Sequence, residues 1–367
     1  MTIAHLVIGG DVAGGQMVAL ALARAARKRG DRVVFLSPTR GAFTELLDEE
    51  GFECFTVDVS RTFRIDGALA LRRLLRHLGV DVLHTHTALA ANVLSRVAGR
   101  LSGAAVVSHI HIENHFRPNR LARAVHAALD NATARLSACV IAVSNDTRRA
   151  LIAQGYPASL VETIHNGIDL TERMDPPGGL RAELRVPGGA PLALEVGRLC
   201  EVKGQRELIE ATALVPDLHV ALAGADLEQG GAYRAALERL AVERGVSDRV
   251  HFLGYRADVD DLLAQADLVV LPSWTEGLPL VVLEAMAHAK PVVATPVGGT
   301  AEAVEDGVTG ALVPPRDPGR LADAIRGVVE DPQRRRELGL AGRERVEREF
   351  SEEQMTRRVL AVYDAVA

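Results

Sequence analysis

Residues 272–290, PSWTEGLPLVVLEAMAHAK, carry the residue types from which an anion site is built. An apolar run ends at Leu271, a polar loop with Glu276 and Gly277 follows, and Pro279 stands where a helix would begin. Proline suits the first helical position, because the amide there has no partner within the helix. The unpaired amides and the positive end of the helix dipole would face an anion, which glycine allows to approach closely. The stretch therefore predicts a phosphate site at a helix N-terminus.

Two glutamates in this stretch are poorly explained by anion binding alone. A carboxylate accepts hydrogen bonds, so Glu276 beside a phosphate site makes sense if it holds the hydroxyls of a sugar. Glu284, within the first turns of the same helix, would suit a ribose diol in the same way. The alternative is a capped structural helix with a solvated first-turn carboxylate, because acidic residues are common there.

A second group of charged residues follows the predicted strand at 192–196, in the sequence GRLCEVKGQ. Arg198 offers a planar guanidinium fork and Lys203 a mobile point charge, and both suit phosphate oxygens. A loop between a parallel strand and the next helix is where such a sheet presents its ligands. The alternative is ordinary surface charge, since loops are often basic.

Glycines follow the first predicted strand in the sequence GGDVAGGQ, residues 9–16. Gly14 and Gly15 precede a predicted helix, where glycine permits a tight turn and the close approach of a ligand. The spacing is not G-x-G-x-x-G, so a dinucleotide fold of the oxidoreductase kind is not supported. A plain strand-to-helix turn is the alternative.

Histidines gather at the ends of two further predicted strands. His84 and His86 end one strand, and His109 and His111 end the next, with His115 shortly after. The His-x-His…His group of His109, His111 and His115 suggests a metal site, because histidine is the commonest metal ligand. We favour a simpler interpretation, in which alternate residues at a strand end share one face of the sheet. No metal site is therefore predicted.

Short β-rich runs alternate with helix-length Ala/Leu/Arg stretches along the whole chain. This order predicts an α/β fold of two doubly wound, Rossmann-like domains with parallel sheets, facing a central cleft. Residues 175–189 are dense in Pro and Gly at their ends and are predicted to be the linker. The predicted strands are 3–8, 32–36, 54–57, 82–84, 104–108, 139–143 and 161–164, then 192–196, 219–223, 250–253, 268–271, 291–294 and 311–313.

Length and composition are typical of a packed two-domain protein. The chain has 367 residues, 48% hydrophobic and only 4% aromatic, so an aliphatic core is expected. A net charge of −6 argues against a nucleic-acid binder. There is no membrane-spanning apolar run and no basic leader, and the three cysteines match no metal spacing. We expect a cytoplasmic protein, and the Ala/Arg-rich composition suggests a GC-rich bacterial genome.

The arrangement EGLPLVVLE at 276–284 resembles the glutamate-to-glutamate signature of the retaining nucleotide-sugar glycosyltransferases of family four, or group one. The resemblance extends over nearly the whole chain and implies the GT-B fold. It implies that Glu276 contacts the transferred sugar and that Glu284 contacts the nucleotide ribose. It also implies that the backbone between them touches the sugar and the phosphates, at Gly277, Leu278, Pro279 and Leu280.

The loops after the first strand of each domain are similar to the same family. The GR…KG pair implies that Arg198 and Lys203 bind the diphosphate and neutralise charge on the departing nucleotide. The second glycine pair, Gly14 and Gly15, would face the donor phosphates across the cleft. The resemblance thus assigns a role to each of these residues.

Two further segments extend the resemblance. Matching VVSHIH at 106–111 to the family puts His111 at the position that reaches the donor sugar, with His109 as the weaker candidate. Residues 112–113 depart from the small residue that the family often places next. The sequence FLGYR at 252–256 resembles the segment whose backbone reads the nucleobase, with Tyr255 or Arg256 as candidates to stack on it.

The family resemblance implies a retaining hexosyltransferase that uses a nucleotide diphosphate sugar, with UDP preferred. We expect no metal or other cofactor. We also expect an acceptor-binding domain at 1–178, a donor-binding domain at 179–347, and a C-terminal helix at 348–367 that packs back on the first domain. The alternatives are a nucleotide-sugar 2-epimerase or hydrolase, and a non-catalytic nucleotide-sugar-binding protein. The acceptor is a small molecule, a glycan or a lipid-linked compound.

Arginines make the first domain basic. A solvated helix face is the favoured interpretation, and peripheral contact with an anionic membrane is the less favoured one. These arginines are Arg61, Arg64, Arg72, Arg73, Arg76, Arg117, Arg120 and Arg123.

Overall fold

The chain, in a computed structural model, folds as two compact units. Unit 1 comprises residues 1–167 and 352–367, and unit 2 comprises residues 168–351. The structure describes residues 1–59, 65–86, 90–111, 120–171, 178–227 and 229–367. The predictions made for Arg61, Arg64, Arg117 and residues 112–115 therefore lie outside the described residues.

Unit 1 is built around a parallel sheet. Its strands are β1 Thr2–Val7, β2 Arg32–Ser37, β3 Glu53–Thr56, β4 Val82–His86, β5 Ala105–Ile110, β6 Cys139–Ala142 and β7 Val161–Thr163. They form one seven-stranded sheet in the order β3-β2-β1-β4-β5-β6-β7. The chain runs outward in one direction from β1 and in the other from β4. The loops that follow these two strands therefore diverge, which leaves room for a ligand at the carboxyl ends of the strands.

Helices connect the strands of unit 1. They are α1 Gly14–Arg29, α2 Ala42–Glu49, α3 Ile65–Leu78, α4 Ala90–Ser102, α5 Arg120–Ala134 and α6 Asn145–Ala153. The first helix is rich in alanine and leucine, which favour helix formation, and its residues 18–23 are all buried because it packs against both the sheet and the last helix of the chain. It ends at Gly30, whose φ of 100° is the left-handed conformation that closes many helices.

Unit 2 repeats this design with a smaller sheet. Its strands are β8 Leu192–Val196, β9 His219–Ala223, β10 Val250–Gly254, β11 Leu268–Leu271, β12 Val292–Ala294 and β13 Gly310–Leu312. They are parallel and lie in the order β10-β9-β8-β11-β12-β13. The point of divergence is now between β8 and β11. The prediction of two Rossmann-like parallel sheets is confirmed.

Eight α-helices lie in the described part of unit 2. They are α7 Leu180–Glu183, α8 Gln205–Thr212, α9 Ala232–Glu243, α10 Val259–Gln265, α11 Leu280–Ala287, α12 Thr300–Ala303, α13 Pro318–Val329 and α14 Pro332–Glu349. Two of them begin with a capped turn, in which an aspartate side chain accepts the amide of the third residue after it and proline occupies the first helical position. This is the sequence pattern that favours a helix start.

The last helix, α15 (Glu352–Val366), belongs to unit 1 although it follows unit 2 in the chain. Val359 and Tyr363 are completely buried on its inner face. The Tyr363 hydroxyl forms a hydrogen bond with His84 Nδ1 at the centre of the sheet. Asp364 accepts a hydrogen bond from Arg29 of α1 over 2.8 Å. The helix is thus fixed to unit 1 by both its apolar and its polar residues.

The start of unit 2 differs from the domain limit expected at residue 179. Ile168 pairs with Ser351, and its amide donates to the Phe350 carbonyl over 3.0 Å, so it belongs to unit 2. The segment predicted to be the linker also contains the short helix α7. Its residues 175–177 lie outside the described part of the chain.

The cores of both units are aliphatic, as the low aromatic content predicts. The core of unit 1 around α3 and α4, and that of unit 2 around α8 and α13, contain mainly Ala, Val, Leu and Ile. Burying such side chains removes apolar surface from water, which is the main favourable contribution to folding.

Candidate functional site

Two loops of unit 2 meet where its strand order diverges. β8 and β11 are neighbours, and the loops after them carry Lys203 and Glu276. Lys203 Nζ donates a hydrogen bond to Glu276 Oε1 over 2.6 Å. The carboxyl ends of parallel strands at such a point are where open α/β sheets bind ligands. The structure thus brings together two of the residues that the sequence singled out.

The loop after β8 packs closely against the loop after β11. It contains a 3₁₀ turn, Glu201–Lys203, that ends at Gly204 with a φ of 71°. A Cβ at Gly204 would lie 2.2 Å from the Pro272 carbonyl oxygen, so only glycine fits there. The amide of Trp274 donates to the Val202 carbonyl over 2.7 Å. These contacts fix the position of one loop relative to the other.

The Glu276 side chain is buried and held in place. Ser273 Oγ donates to Glu276 Oε1 over 2.6 Å, and the same oxygen accepts the hydrogen bond from Lys203. On the backbone side, Gly298 has a φ of 56°, and a Cβ there would lie 1.9 Å from the Glu276 carbonyl oxygen. The carboxylate is therefore preorganised, as a group that must orient a substrate should be.

Burial and charge pairing act in opposite directions on the ionisable groups of this site. Burial lowers the pKa of Lys203, but the adjacent Glu276 carboxylate more than offsets this, so the lysine pKa is raised and the ammonium stays charged. Glu195, at the end of β8, is completely buried, and burial raises its pKa to about 8. Lys203 and a hydrogen bond from Gln205 oppose that rise. A neutral Glu195 therefore lies close to the charged pair formed by Lys203 and Glu276.

Arg198 is exposed in the same loop, and a buried side chain, Gln205, fixes its backbone. Gln205 Nε2 donates to the Arg198 carbonyl oxygen over 2.9 Å and to Glu195 Oε1 over 3.2 Å. The guanidinium and the Lys203 ammonium thus come from one short loop, so both can face the same anion.

Helix α11 begins one residue later than predicted. Pro279 is its N-cap, with extended backbone, and Leu280 is the first helical residue. The sequence placed Pro279 at the first helical position, and that prediction is wrong by one residue. Proline fits the cap as well, because its fixed φ is compatible with the extended conformation found there. Glu284 is half-buried on the second turn, and Leu278 is buried just before the helix.

Tyr255 and Arg256, the candidates to contact a base, follow the end of β10. Arg256 forms ion pairs with Asp258 and with Glu183, the latter over 3.0 Å, and these carboxylates raise the pKa of its guanidinium further. Tyr255 is 59% exposed. The Arg256 guanidinium is therefore engaged by carboxylates of its own unit, whereas the Tyr255 side chain is exposed to solvent.

In unit 1, Gly15 and His111 are in contact, and both are residues that the sequence predicts to face the donor. Helix α1 begins at Gly14, and Gly15 lies against the imidazole of His111, which follows β5. A Cβ at Gly15 would be 3.2 Å from His111 Cδ2, which is tighter than ordinary packing. Glycine at this position therefore allows the ring to approach the helix N-terminus.

Five histidines on three adjacent strands stack on one another in unit 1, and we call them the histidine cluster: His5, His84, His86, His109 and His111. Burial lowers the pKa of His5 to about 3 and that of His111 to about 4. Burial first, and then neighbouring histidines, lower the pKa values of the other three well below the usual range. All five rings are therefore neutral near pH 7. The sequence interpretation did not include His5, which reads as an ordinary strand residue.

Within the cluster, two groups of three histidines have ring nitrogens close enough to hold a metal ion. They are His5, His84 and His86, and His86, His109 and His111, with the nitrogens of each group within 4.8 Å of one another. Two contacts also have hydrogen-bond geometry. His86 Nε2 lies 3.0 Å from His5 Nδ1, and His86 Nδ1 lies 3.0 Å from His111 Nε2.

Sequence reasoning missed three residues that support the site in unit 2. Ser273 positions Glu276, Gly298 supports its backbone, and Glu195 lies beneath Lys203. The glycine pair after β12 was a detectable signal, because a glycine at the carboxyl end of a parallel strand often marks a close backbone approach. A serine after a strand and a glutamate inside one carry no comparable signal.

No helix in the described part of the chain is both long and apolar enough to cross a bilayer. The side chains of Arg72 and Arg76, two of the arginines considered for membrane contact, both donate to the Leu101 carbonyl oxygen. They hold α3 to the end of α4.

Comparison with known proteins covers both units. Residues 179–345 match the family model described as glycosyl transferases group 1, and residues 12–172 match that described as glycosyltransferase family 4. A curated relative, D-inositol 3-phosphate glycosyltransferase of Mycobacterium tuberculosis (strain ATCC 25618 / H37Rv), is 35% identical over 189 residues. That alignment covers 51% of this chain and 39% of the relative, so the match spans less than half of the relative's length.

Solved structures resemble the whole chain. HepE from Anabaena in complex with UDP-glucose is 27% identical, covers 100% of both chains and has a TM-score of 0.88. The same protein in complex with UDP has a TM-score of 0.87 at the same identity and coverage. Sucrose-phosphate synthase from Thermosynechococcus elongatus is 24% identical, with coverage of 100% and 98% and a TM-score of 0.86, and shares the fold.

Proposed function

The chain belongs to the group 1 glycosyl transferases with a GT-B fold, and from that premise we propose that it transfers a sugar from a nucleotide diphosphate donor to an acceptor. The observation that carries the proposal is the contact between Lys203 and Glu276 at the carboxyl ends of β8 and β11. One of these groups suits a phosphate and the other a sugar hydroxyl, and they stand side by side.

In this proposal each member of the pair changes its partner when the donor binds. Lys203 moves to the diphosphate together with Arg198, and the Glu276 carboxylate accepts hydrogen bonds from the sugar. The Lys203 ammonium is then paired with the charge of the diphosphate and the Glu276 carboxylate with the hydroxyls of the sugar, so neither side chain is left buried without a partner. The cationic groups stabilise the departing nucleotide as its negative charge develops.

Other residues would complete donor binding as the family resemblance implies. Glu284 would accept from the ribose hydroxyls, the backbone at 277–280 would touch the sugar and phosphates, and Tyr255 would lie beside the base. Gly14, Gly15 and His111 of unit 1 keep the roles that the resemblance gives them. In this scheme two side chains, rather than a metal ion, supply the positive charge at the diphosphate.

UDP and a hexose are the donor groups that we propose, with retention of the anomeric configuration. HepE, which shares the fold over the full length of this chain, forms complexes with UDP and with UDP-glucose. Retention is implied by the resemblance of residues 276–284 to retaining enzymes. Analysis of the anomeric configuration of the product by NMR tests this point, and an inverted product would contradict it.

Replacement of Lys203 by alanine tests the proposed chemistry. The variant should lose about 10²–10³-fold in kcat, because one group that stabilises the leaving diphosphate is removed. Arg206→Ala is the matched control, since Arg206 is an exposed cation on α8 that pairs with Glu210. It should retain the parent's kcat. Near-normal turnover of Lys203→Ala would remove the diphosphate assignment.

Product analysis separates transfer from the other activities that the sequence allows. With a UDP-sugar and no acceptor, a transferase should release UDP only slowly, whereas a 2-epimerase should convert the sugar at full rate. A protein that only binds nucleotide sugars should release no UDP, whether or not an acceptor is present. Transfer therefore predicts that UDP release accelerates when an acceptor is added.

A further inference from the structure

The histidine cluster of unit 1 contains a continuous chain of hydrogen bonds. His5 Nδ1 lies 3.0 Å from His86 Nε2, and His86 Nδ1 lies 3.0 Å from His111 Nε2. The three rings come from β1, the end of β4 and the residue after β5, which are adjacent in the sheet. Both ring nitrogens of His86 are therefore engaged, one at each side.

Neutral rings allow only two arrangements of protons in this chain. A neutral imidazole has one N–H and one bare nitrogen, so it donates on one side and accepts on the other. Either His5 donates to His86 and His86 to His111, or all the hydrogen bonds run in the opposite direction. Because each ring fixes the next, the tautomers of the three rings change together.

His5, at the buried end of this chain of hydrogen bonds, decides between the two arrangements. His5 Nε2 is completely buried and has no hydrogen-bond partner among the described residues. A buried N–H without an acceptor is rarer in proteins than an acceptor without a donor. The favoured arrangement therefore leaves His5 Nε2 bare and places the proton on Nδ1 in all three rings.

His111 forms the other end of this chain of hydrogen bonds and is partly exposed. Its Nε2 accepts from His86 in the favoured arrangement, so its Nδ1 carries the proton that is left to face a ligand. Gly15 packs against the Cδ2 edge of this ring, and a Cβ there would lie 3.2 Å away. The ring is thus held both by a hydrogen bond and by contact with α1.

We propose that His86 and His5 are positioning residues that hold His111 in its Nδ1–H tautomer, so that this ring donates a hydrogen bond to an oxygen of the donor sugar. The inference rests on the proposed function in one respect, namely that His111 contacts the donor. The tautomer itself is a property of the protein alone. His86 acts through His111 and touches no substrate.

The tautomers can be read directly by ¹⁵N NMR of the full chain labelled with [¹⁵N]histidine. Two-bond correlations between ring carbon-bound protons and ring nitrogens distinguish Nδ1–H from Nε2–H, and His5→Gln, His86→Gln and His111→Gln assign the signals. At pH 8 the proposal expects the Nδ1–H pattern for all three rings. An Nε2–H pattern for His111, or a charged ring, would overturn it.

The same spectra test the competing explanation of the cluster. A metal ion held by His86, His109 and His111 would use the ring nitrogens that the hydrogen bonds need. Addition of Zn²⁺ alone to the labelled protein should leave the signals of His86 and His111 in place. Stoichiometric shifts of the coordinated ring nitrogens would contradict the hydrogen-bonded chain and support a metal site.

A pair of variants at position 86 links the tautomer to turnover. His86→Asn keeps an N–H near the position of Nδ1, so His111 can stay in the Nδ1–H form. His86→Asp, of nearly the same size, only accepts at pH 8 and should move the proton of His111 to Nε2. The expected kcat of His86→Asp is about 10²-fold below the parent, and that of His86→Asn is at least about tenfold higher than that of His86→Asp.

The outcomes for the tautomer and for the function are distinguishable. Equal losses of kcat in the two variants, with His111 showing Nε2–H only in His86→Asp, would contradict the proposed role of the tautomer. If the parent transfers no sugar from any nucleotide donor, the proposed function fails. The NMR pattern of the parent still decides whether the hydrogen-bonded chain holds its tautomers as inferred.

Discussion

At the residue scale, the site in unit 2 depends on how burial and pairing set the charge of a few groups. Lys203 stays charged because Glu276 is beside it, whereas for Glu195 burial outweighs the opposing effect of Lys203 and raises the pKa of the carboxyl to about 8. One oxygen of Glu195 also has no hydrogen-bond partner among the described residues. A neutral carboxyl is the form that this environment accepts.

The raised pKa of Glu195 predicts a pH dependence of stability. Below pH 4.5 the carboxyl is protonated in both the folded and the unfolded chain. As the pH rises from 4.5 towards 8, the unfolded chain releases its proton first, so the free energy of unfolding falls. Glu195→Gln should remove this part of the fall, which amounts to about a few kcal/mol.

Urea unfolding of the parent and of Glu195→Gln at pH 5 and pH 8 measures this difference. Glu243→Gln, on the exposed face of α9, is the control and should follow the parent. A parent and a Glu195→Gln variant that lose stability in parallel over this range would show that Glu195 is ionised in the folded protein.

At the element scale, the loops after β8, β11 and β12 form one packed arrangement. Gly204 allows the first to meet the second, and Gly298 allows the third to support Glu276. The amide of Gly299 also donates to the Gly277 carbonyl oxygen. Two glycines in left-handed conformation therefore bring together three loops that are far apart in the sequence.

Gly298→Ala should damage both stability and donor binding. The new Cβ would lie 1.9 Å from the Glu276 carbonyl oxygen at a φ of 56°, so the backbone of the loop must move. We expect a loss of about 1–3 kcal/mol in the free energy of unfolding, together with weaker binding of UDP. Thermal unfolding and calorimetric titration measure the two effects.

Gly327→Ala provides the matched control for this substitution. Gly327 lies within α13, and an added Cβ would meet nothing within 4 Å. Alanine there should raise stability by up to about 1 kcal/mol, since it favours the helix, and should leave UDP binding unchanged. A Gly298→Ala variant as stable as the parent would contradict the close packing of the loops.

The elements themselves were predictable from the sequence, but their contacts were not. The strands that hold the site, such as β8 and β11, follow from short apolar runs between helical patterns, and the structure has both at the predicted residues. The start of α11 was misplaced by one residue, because Pro279 is compatible with both the cap and the first turn. The support of Glu276 by Ser273 and Gly298 depends on how three loops pack, which local patterns do not encode.

At the scale of the whole molecule, the two units use the same topological device. In each, the strand order diverges at one point, between β1 and β4 or between β8 and β11, and Gly14, Arg198, Lys203 and Glu276 follow strands that lie at these points. The sequence could predict this, since the positions of Gly14, Arg198 and Glu276 after strands follow from periodicity alone. The histidine cluster was only partly predictable, because His5 comes from a strand that is remote in sequence.

Removal of metal ions tests how the charge of the donor is neutralised. Because Arg198 and Lys203 are proposed to hold the diphosphate, turnover should be unchanged in the presence of excess EDTA. The control is the same assay with added Mg²⁺ or Mn²⁺, which should not raise the rate. Loss of activity in EDTA that either ion restores would show that the cationic side chains are not sufficient.

Calorimetric titration of UDP into the parent and into Lys203→Met shows directly whether Lys203 holds the diphosphate, because it measures nucleotide binding apart from the rest of the reaction. We expect the parent to bind UDP and Kd to rise at least about tenfold in the variant, equivalent to about 1.4 kcal/mol. A parent that binds no nucleoside diphosphate, or a variant that binds UDP as tightly as the parent, would contradict this expectation.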